Sequence, residues 1–143
     1  MASSVAGTAM VLFALAGTAA AAQDMSWAQG VQEDGWGDGR VTADGDMIIF
    51  RRPAPRGPEG HARLQLRYEY RDAVKVGGKL YLSLLALDEF DCGAGRFRNL
   101  RTAAFTGHNA QGEARQEPGG PEPWSTPAPG TVDAKSLAVA CGR

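Results

Sequence analysis

The chain has 143 residues, with 15 Lys and Arg against 16 Asp and Glu and a formal net charge of −1. A balance this close to neutral excludes a protein that finds nucleic acid or another polyanion by bulk electrostatics. About 120 residues lie beyond an apolar start, enough for one domain that buries a core yet gains from a covalent staple.

Met1–Ala22 carries no charged side chain. Its apolar stretch Ala9–Ala16 falls short of the roughly 20 residues a helix needs to cross a bilayer. Small residues ending in Ala19–Ala22 precede the polar pair Gln23-Asp24. This is the grammar of a secretory signal peptide over residues 1–22, although the n-region lacks Lys or Arg; a non-cleaved anchor or a misplaced start is the alternative. Cleavage after Ala22 leaves one domain over residues 23–143, exported to the periplasm or the outer cell surface. No later segment is long and apolar enough to span a membrane, and no cysteine sits near the cleavage site to take a lipid.

Asp44-Gly45 is a hairpin cue ahead of a short strand, Met47–Phe50. Pro53, Pro55 and Pro58 are expected to close that strand into a loop. From Arg63 to Arg71 apolar and polar residues alternate strictly. That places Leu64, Leu66, Tyr68 and Tyr70 on one face of a half-buried antiparallel strand and the charges on the other. After the Gly77-Gly78 turn, Leu80–Leu87 is nearly all apolar and reads as a central strand; a helix competes, but Tyr81, Phe90 and the turn favour β. Gly93-Ala94-Gly95 leads into a further strand ending near Phe105. Gly107–Gly112 forms a turn before a short strand at Glu113–Glu117, and a Pro-rich connector follows, with Trp124 as an apolar pin onto the domain. Pro129-Gly130 precede Thr131, a competent N-cap, with Asp133 in the first turn of a terminal helix. Ala134, Leu137, Ala138 and Cys141 recur at i, i+3, i+4 and i+7, one stripe expected to face inward.

Cys92 and Cys141 are the two cysteines. In an oxidising compartment they read as one disulfide stapling the helix to the sheet. A loop of about 50 residues closed this way gains roughly 4 kcal/mol by chain entropy. Free thiols or a metal pair are the alternative, but zinc needs two more ligands and His61 and His108 lack finger-like spacing.

Glu89-Phe90-Asp91-Cys92, Arg96-Phe97-Arg98, Pro123-Trp124, Pro129-Gly130-Thr131 and a helix ending in Cys141 stand in this order, after a Tyr81-x-Ser83 element. Together they resemble the surface-adhesin protein E family of small exported proteobacterial proteins. The resemblance implies an α+β fold, a curved antiparallel sheet of about six strands with a short C-terminal helix tethered by the disulfide to its concave face. It also implies homodimerisation and adhesion to a protein partner, a host matrix or envelope protein. Matched residues here are structural, so fold transfers better than activity.

Catalytic spacing is missing. There is no G-x-S-x-G, no Ser-His-Asp arrangement and no third histidine for a metal triad, so neither catalytic nor metal residues nor a cofactor are assigned. His61 and His108 sit beside turn residues and read as surface positions. Asp88, Glu89 and Asp91 do not converge on one point along a strand and read as a solvated edge. Arg63, Arg67 and Arg71 share one strand face and Arg96 and Arg98 share another; adjoining, they make a basic interaction face, and otherwise the polar outside of the sheet. The expected function is a non-enzymatic exported binding domain, adhesin-like, with no nucleic-acid partner. The alternative is a periplasmic carrier holding a small apolar or planar ligand between sheet and helix, near Tyr68, Tyr70, Tyr81 and Phe90.

Overall fold

The structure is a computed structural model that describes residues 23–37 and 39–143. The expected signal peptide lies outside the described residues. Six strands, β1 (Arg40–Val41), β2 (Met47–Ala54), β3 (Ala62–Val76), β4 (Lys79–Asp91), β5 (Arg96–Phe105) and β6 (Ala114–Gln116), form one open sheet in sequence order. All neighbours are antiparallel. Among the described residues one 3-10 turn (Ser26–Ala28) precedes them and one helix, α1 (Val132–Ala140), follows. None of the helices described is long and apolar enough to cross a membrane.

The sequence dictates this meander through its turns. Gly77 and Gly78 both take positive φ, 55° and 81°. A two-residue hairpin turn of this hand needs two such residues in succession, which glycine supplies without a Cβ clash. A shift in the β3–β4 register between Glu69 and Val74 sets off the distal part of that hairpin. Pro53 does not close β2 into a loop: the strand runs on to Ala54. It stays extended because Arg71 N donates to the Asp46 carbonyl and Thr42 N to the Met47 carbonyl, both at 2.9 Å. Even-numbered residues of β2 therefore bond inward to β3 and odd-numbered ones point out, so the missing N–H of Pro53 falls on the open edge.

Register places Ile49 opposite Tyr68, Leu66 opposite Ala86, and Ala62 opposite Phe90, and Phe90 opposite Phe97. These side chains share one face and form the core with Leu64. α1 covers that face. Thr131 caps it, its hydroxyl accepting from Ala134 N at 3.2 Å, and Asp133 sits in the first turn. Leu137 and Cys141 pack against the core as the stripe predicts, but Val132 and Ala140 join them in place of Ala134 and Ala138. The most buried helical side chain is Ser136, whose hydroxyl accepts from Arg51 Nε at 2.8 Å. A buried hydroxyl with a guanidinium donor is tolerated where an unpaired one is not. Cys92 and Cys141 are bonded, their Cα atoms 5.6 Å apart, so the helix is fixed to the end of β4.

The opposite face of the sheet is covered too, which alternation did not reveal. The segment before β1 lies on it: the Trp36 ring sits 3.9 Å from the Arg52 guanidinium, and Gly39 is so close to Ile48 and Phe50 that a Cβ would collide with both. Trp27 Nε1 donates to the Gly45 carbonyl at 3.2 Å.

Candidate functional site

Two polar clusters occupy this second face. The first centres on Glu69, 0% exposed, with Arg67 on the same strand 4% exposed. Arg67 Nε lies 2.8 Å from Glu69 Oε1. His108 Nδ1 stands 2.9 Å from Oε2, and Asn109 N donates to Oε1 at 2.9 Å. The Asn109 side chain then ties in the N-terminal segment, donating to the Gly30 carbonyl and accepting from Gln32 N, both at 2.8 Å. Asn109 and Ala110 take positive φ, 62° and 55°, at the tip of this turn. Burial pushes the Arg67 guanidinium down from its ordinary value, and Glu69 opposes that shift. His108 is therefore a strut between β3 and the N-terminal segment, not a free surface histidine.

The second cluster lies toward the start of β3, where Arg63, Glu89 and Arg98 face one another across three strands. Glu89 is 1% exposed and accepts from Arg63 Nε at 2.7 Å and Arg98 Nη2 at 2.8 Å. Burial pushes its carboxyl up, but the two arginines outweigh burial and hold it below the usual range. Gly57 passes so close that a Cβ would sit 2.5 Å from Glu89 Oε2. The Trp124 ring caps the cluster, with Arg98 at 4.4 Å, Arg96 at 5.0 Å and the His61 ring edge-on at 5.2 Å. Trp124 holds its connector to the domain, but against arginines and a histidine rather than as an apolar pin, and Phe97 and Ser125 exchange two backbone bonds of 2.9 Å beside it.

Of the arginines expected to form one basic face, Arg63 and Arg98 come together at Glu89, and Arg96 and Arg98 at Trp124. Arg67 lies in the Glu69 cluster, and Arg71 pairs with Asp46 at 2.8 Å at the far end of β3. Arg96 pairs with Asp91 at 3.0 Å. The acidic trio is not a solvated edge. Asp88, 3% exposed, faces the helix side and accepts from Asn99 Nδ2 at 2.7 Å, while Glu89 faces the opposite side. Burial, with Asp133 and Glu122 adding to it and Asn99 opposing, pushes the Asp88 carboxyl up to about 6. No group of three or more His, Cys, Asp or Glu among the described residues is arranged to hold a metal ion. Tyr68 and Phe90, expected beside a ligand, pack in the core beneath α1. Sequence reasoning missed Glu69 and Glu89 as hubs; the one legible signal was acids alternating with arginines on paired strands.

No curated protein and no solved structure shows a significant match. The family model for surface-adhesin protein E matches residues 39–142, from the start of β1 through the helix and its cysteine. With an open antiparallel sheet, a terminal helix and the Cys92–Cys141 bridge in that span, this chain belongs to the surface-adhesin protein E family.

Proposed function

We propose that the chain is a non-enzymatic, adhesin-like binding domain of the bacterial envelope, which contacts a host matrix or envelope protein through the Trp124 end of its sheet. Family membership supports the adhesin-like part of this reading. The observation that carries the rest is the stacking of Trp124 against Arg96 and Arg98. Trp and Arg are the residues that most often dominate binding energy at protein interfaces. Held by Glu89 and Asp91, these arginines lose little side-chain freedom on association, which favours affinity. Arg96 remains 44% exposed and available. Pairing of two copies, implied by the family resemblance, belongs to the same reading and predicts twice the chain mass in light scattering.

The test has two steps. Intact cells are treated with a membrane-impermeant biotin reagent, then assayed for attachment to immobilised extracellular-matrix proteins. The chain should be labelled without lysis, and cells carrying Trp124→Ala should attach more weakly than wild type. Labelling only after the outer membrane is ruptured contradicts the surface-adhesin reading.

A further inference from the structure

Each arginine of the two clusters just described has a carboxylate partner, but the arginines along the open edge of the sheet do not. Among the described residues Arg40, Arg51, Arg52 and Arg56 make no ion pair. Their bonds run to neutral acceptors: Arg51 to Ser136 Oγ at 2.8 Å, Arg52 to Gln65 Oε1 at 2.8 Å, Arg56 to the Gly60 carbonyl at 2.8 Å. Arg40 is near enough to Arg51 to disfavour its charge, and Asp133 compensates only from beyond bonding distance. Two hollows adjoin here, sharing Arg51 and Val139. One, of about 290 Å³, is lined by Arg51, Arg52 and Arg56 over apolar Pro53, Leu64 and Val139. The other, of about 310 Å³, adds Arg40 and Trp36. Val139 is 56% exposed, a large apolar side chain that lines both hollows.

We propose that this groove takes an acidic, partly apolar segment of a partner protein. The inference rests on the binding reading above and names the class of partner; through Arg63, which lines the first hollow, the groove adjoins the Trp124 end. Guanidiniums bonded to no carboxylate among the described residues call for anions, and the planar fork of Arg matches carboxylates in pairs. Side chains rather than backbone do the recognising, because on the open part of β2 the outward positions are Arg51 and Pro53, and proline has no N–H to offer an added strand. The apolar lining separates a polypeptide from a sulfated glycan. Aliphatic side chains next to carboxylates would cover Pro53, Leu64 and Val139, whereas a polysulfated sugar chain has nothing to place there and meets a molecule of net charge −1 elsewhere.

The experiment compares the full chain with Arg40→Glu/Arg56→Glu, two exposed positions, of which Arg56 bonds only the Gly60 carbonyl of its own loop. Fluorescence anisotropy is read with a labelled peptide of alternating acidic residues and Leu, the same peptide with Gln and Asn for the acids, and a heparin fragment. The acidic peptide should bind, the amide peptide should not, and the variant should weaken binding by about tenfold or more, about 1.4 kcal/mol. Equal binding by both proteins, absence of peptide binding, or a heparin fragment that binds more tightly and is lost in the same variant would each overturn the proposal. Matrix attachment measured in parallel keeps the two readings apart. If attachment fails while the peptide result stands, the adhesin reading falls; if attachment persists without peptide binding, the groove falls alone.

Discussion

Arg67 and Glu69 sit two residues apart on the same face of β3 and form a buried ion pair, with Nε and Oε1 2.8 Å apart. Alternation normally marks that face as the one turned to water. Here it carries a charge pair that closes the N-terminal segment over the sheet, through Gln32 and Asn109.

Glu69→Leu leaves the Arg67 guanidinium buried without a counter-charge and the Asn109 amide without an acceptor. A cost of about 3–5 kcal/mol is expected for breaking such a pair from one side. Urea unfolding followed by tryptophan fluorescence measures it, and Trp27 and Trp36 should report early loosening of the N-terminal segment.

Cys141→Ser removes the link between α1 and the end of β4. The cysteines are 49 positions apart, so the oxidised unfolded chain loses considerable freedom that the variant regains. Stability should fall by about 2–5 kcal/mol, because a nine-residue helix is marginal without its anchor. Thermal unfolding in non-reducing buffer gives the difference, and wild type in reductant should approach the variant.

Asp88 titrates at about 6 in the fold against an ordinary 3.8. A carboxyl whose folded value is raised binds its proton more tightly when folded. Its contribution is therefore favourable below 3.8, declines as pH rises through 6, and leaves an ionised buried carboxylate above that. The span corresponds to about 3 kcal/mol at most. Glu89, held low by its arginines, acts in the opposite sense and loses stability only as the solution becomes strongly acidic. Asp88→Asn should thus raise the melting temperature relative to wild type more at pH 7.5 than at pH 4.5. A uniform shift at both pH values would show that Asp88 does not titrate in this window.

Trp124→Ala uncovers Arg96 and Arg98 and frees the ring contact with His61. Two cation–π contacts and a partly buried ring predict a loss of about 1–3 kcal/mol. Hydrogen exchange should show faster turnover at Phe97 N and Ser125 N, whose mutual bonds lie next to the ring in sequence.

Strand periodicity made β3 and β4 legible, and the glycine turns fixed where the meander reverses. Thr131, Asp133 and the two cysteines marked the helix and its tether. What alternation could not show was the cover on the second face. Arg67 and Glu69 look solvent-facing by pattern, since the groups that satisfy them, Gln32 and Asn109, lie 35 and 40 residues away in sequence. Glu89 was opaque for the same reason: an acid on one strand and arginines on its two neighbours read as scattered charge until register aligns them. The helix was placed correctly but turned, because a stripe of alanines carries little preference and Arg51 gives Ser136 a reason to face inward. β2 was cut short because the open edge, where a proline costs no bond, is a property of the assembled sheet.

The Cys92–Cys141 bridge locks helix to sheet, and it forms only outside the reducing cytosol. The most direct measurement is mass spectrometry of the chain taken from its own envelope and treated with iodoacetamide without reductant. No adduct is expected on Cys92 or Cys141, and adducts on both are expected once the protein is reduced and unfolded. Alkylation of both thiols in the unreduced native protein would contradict the bridge.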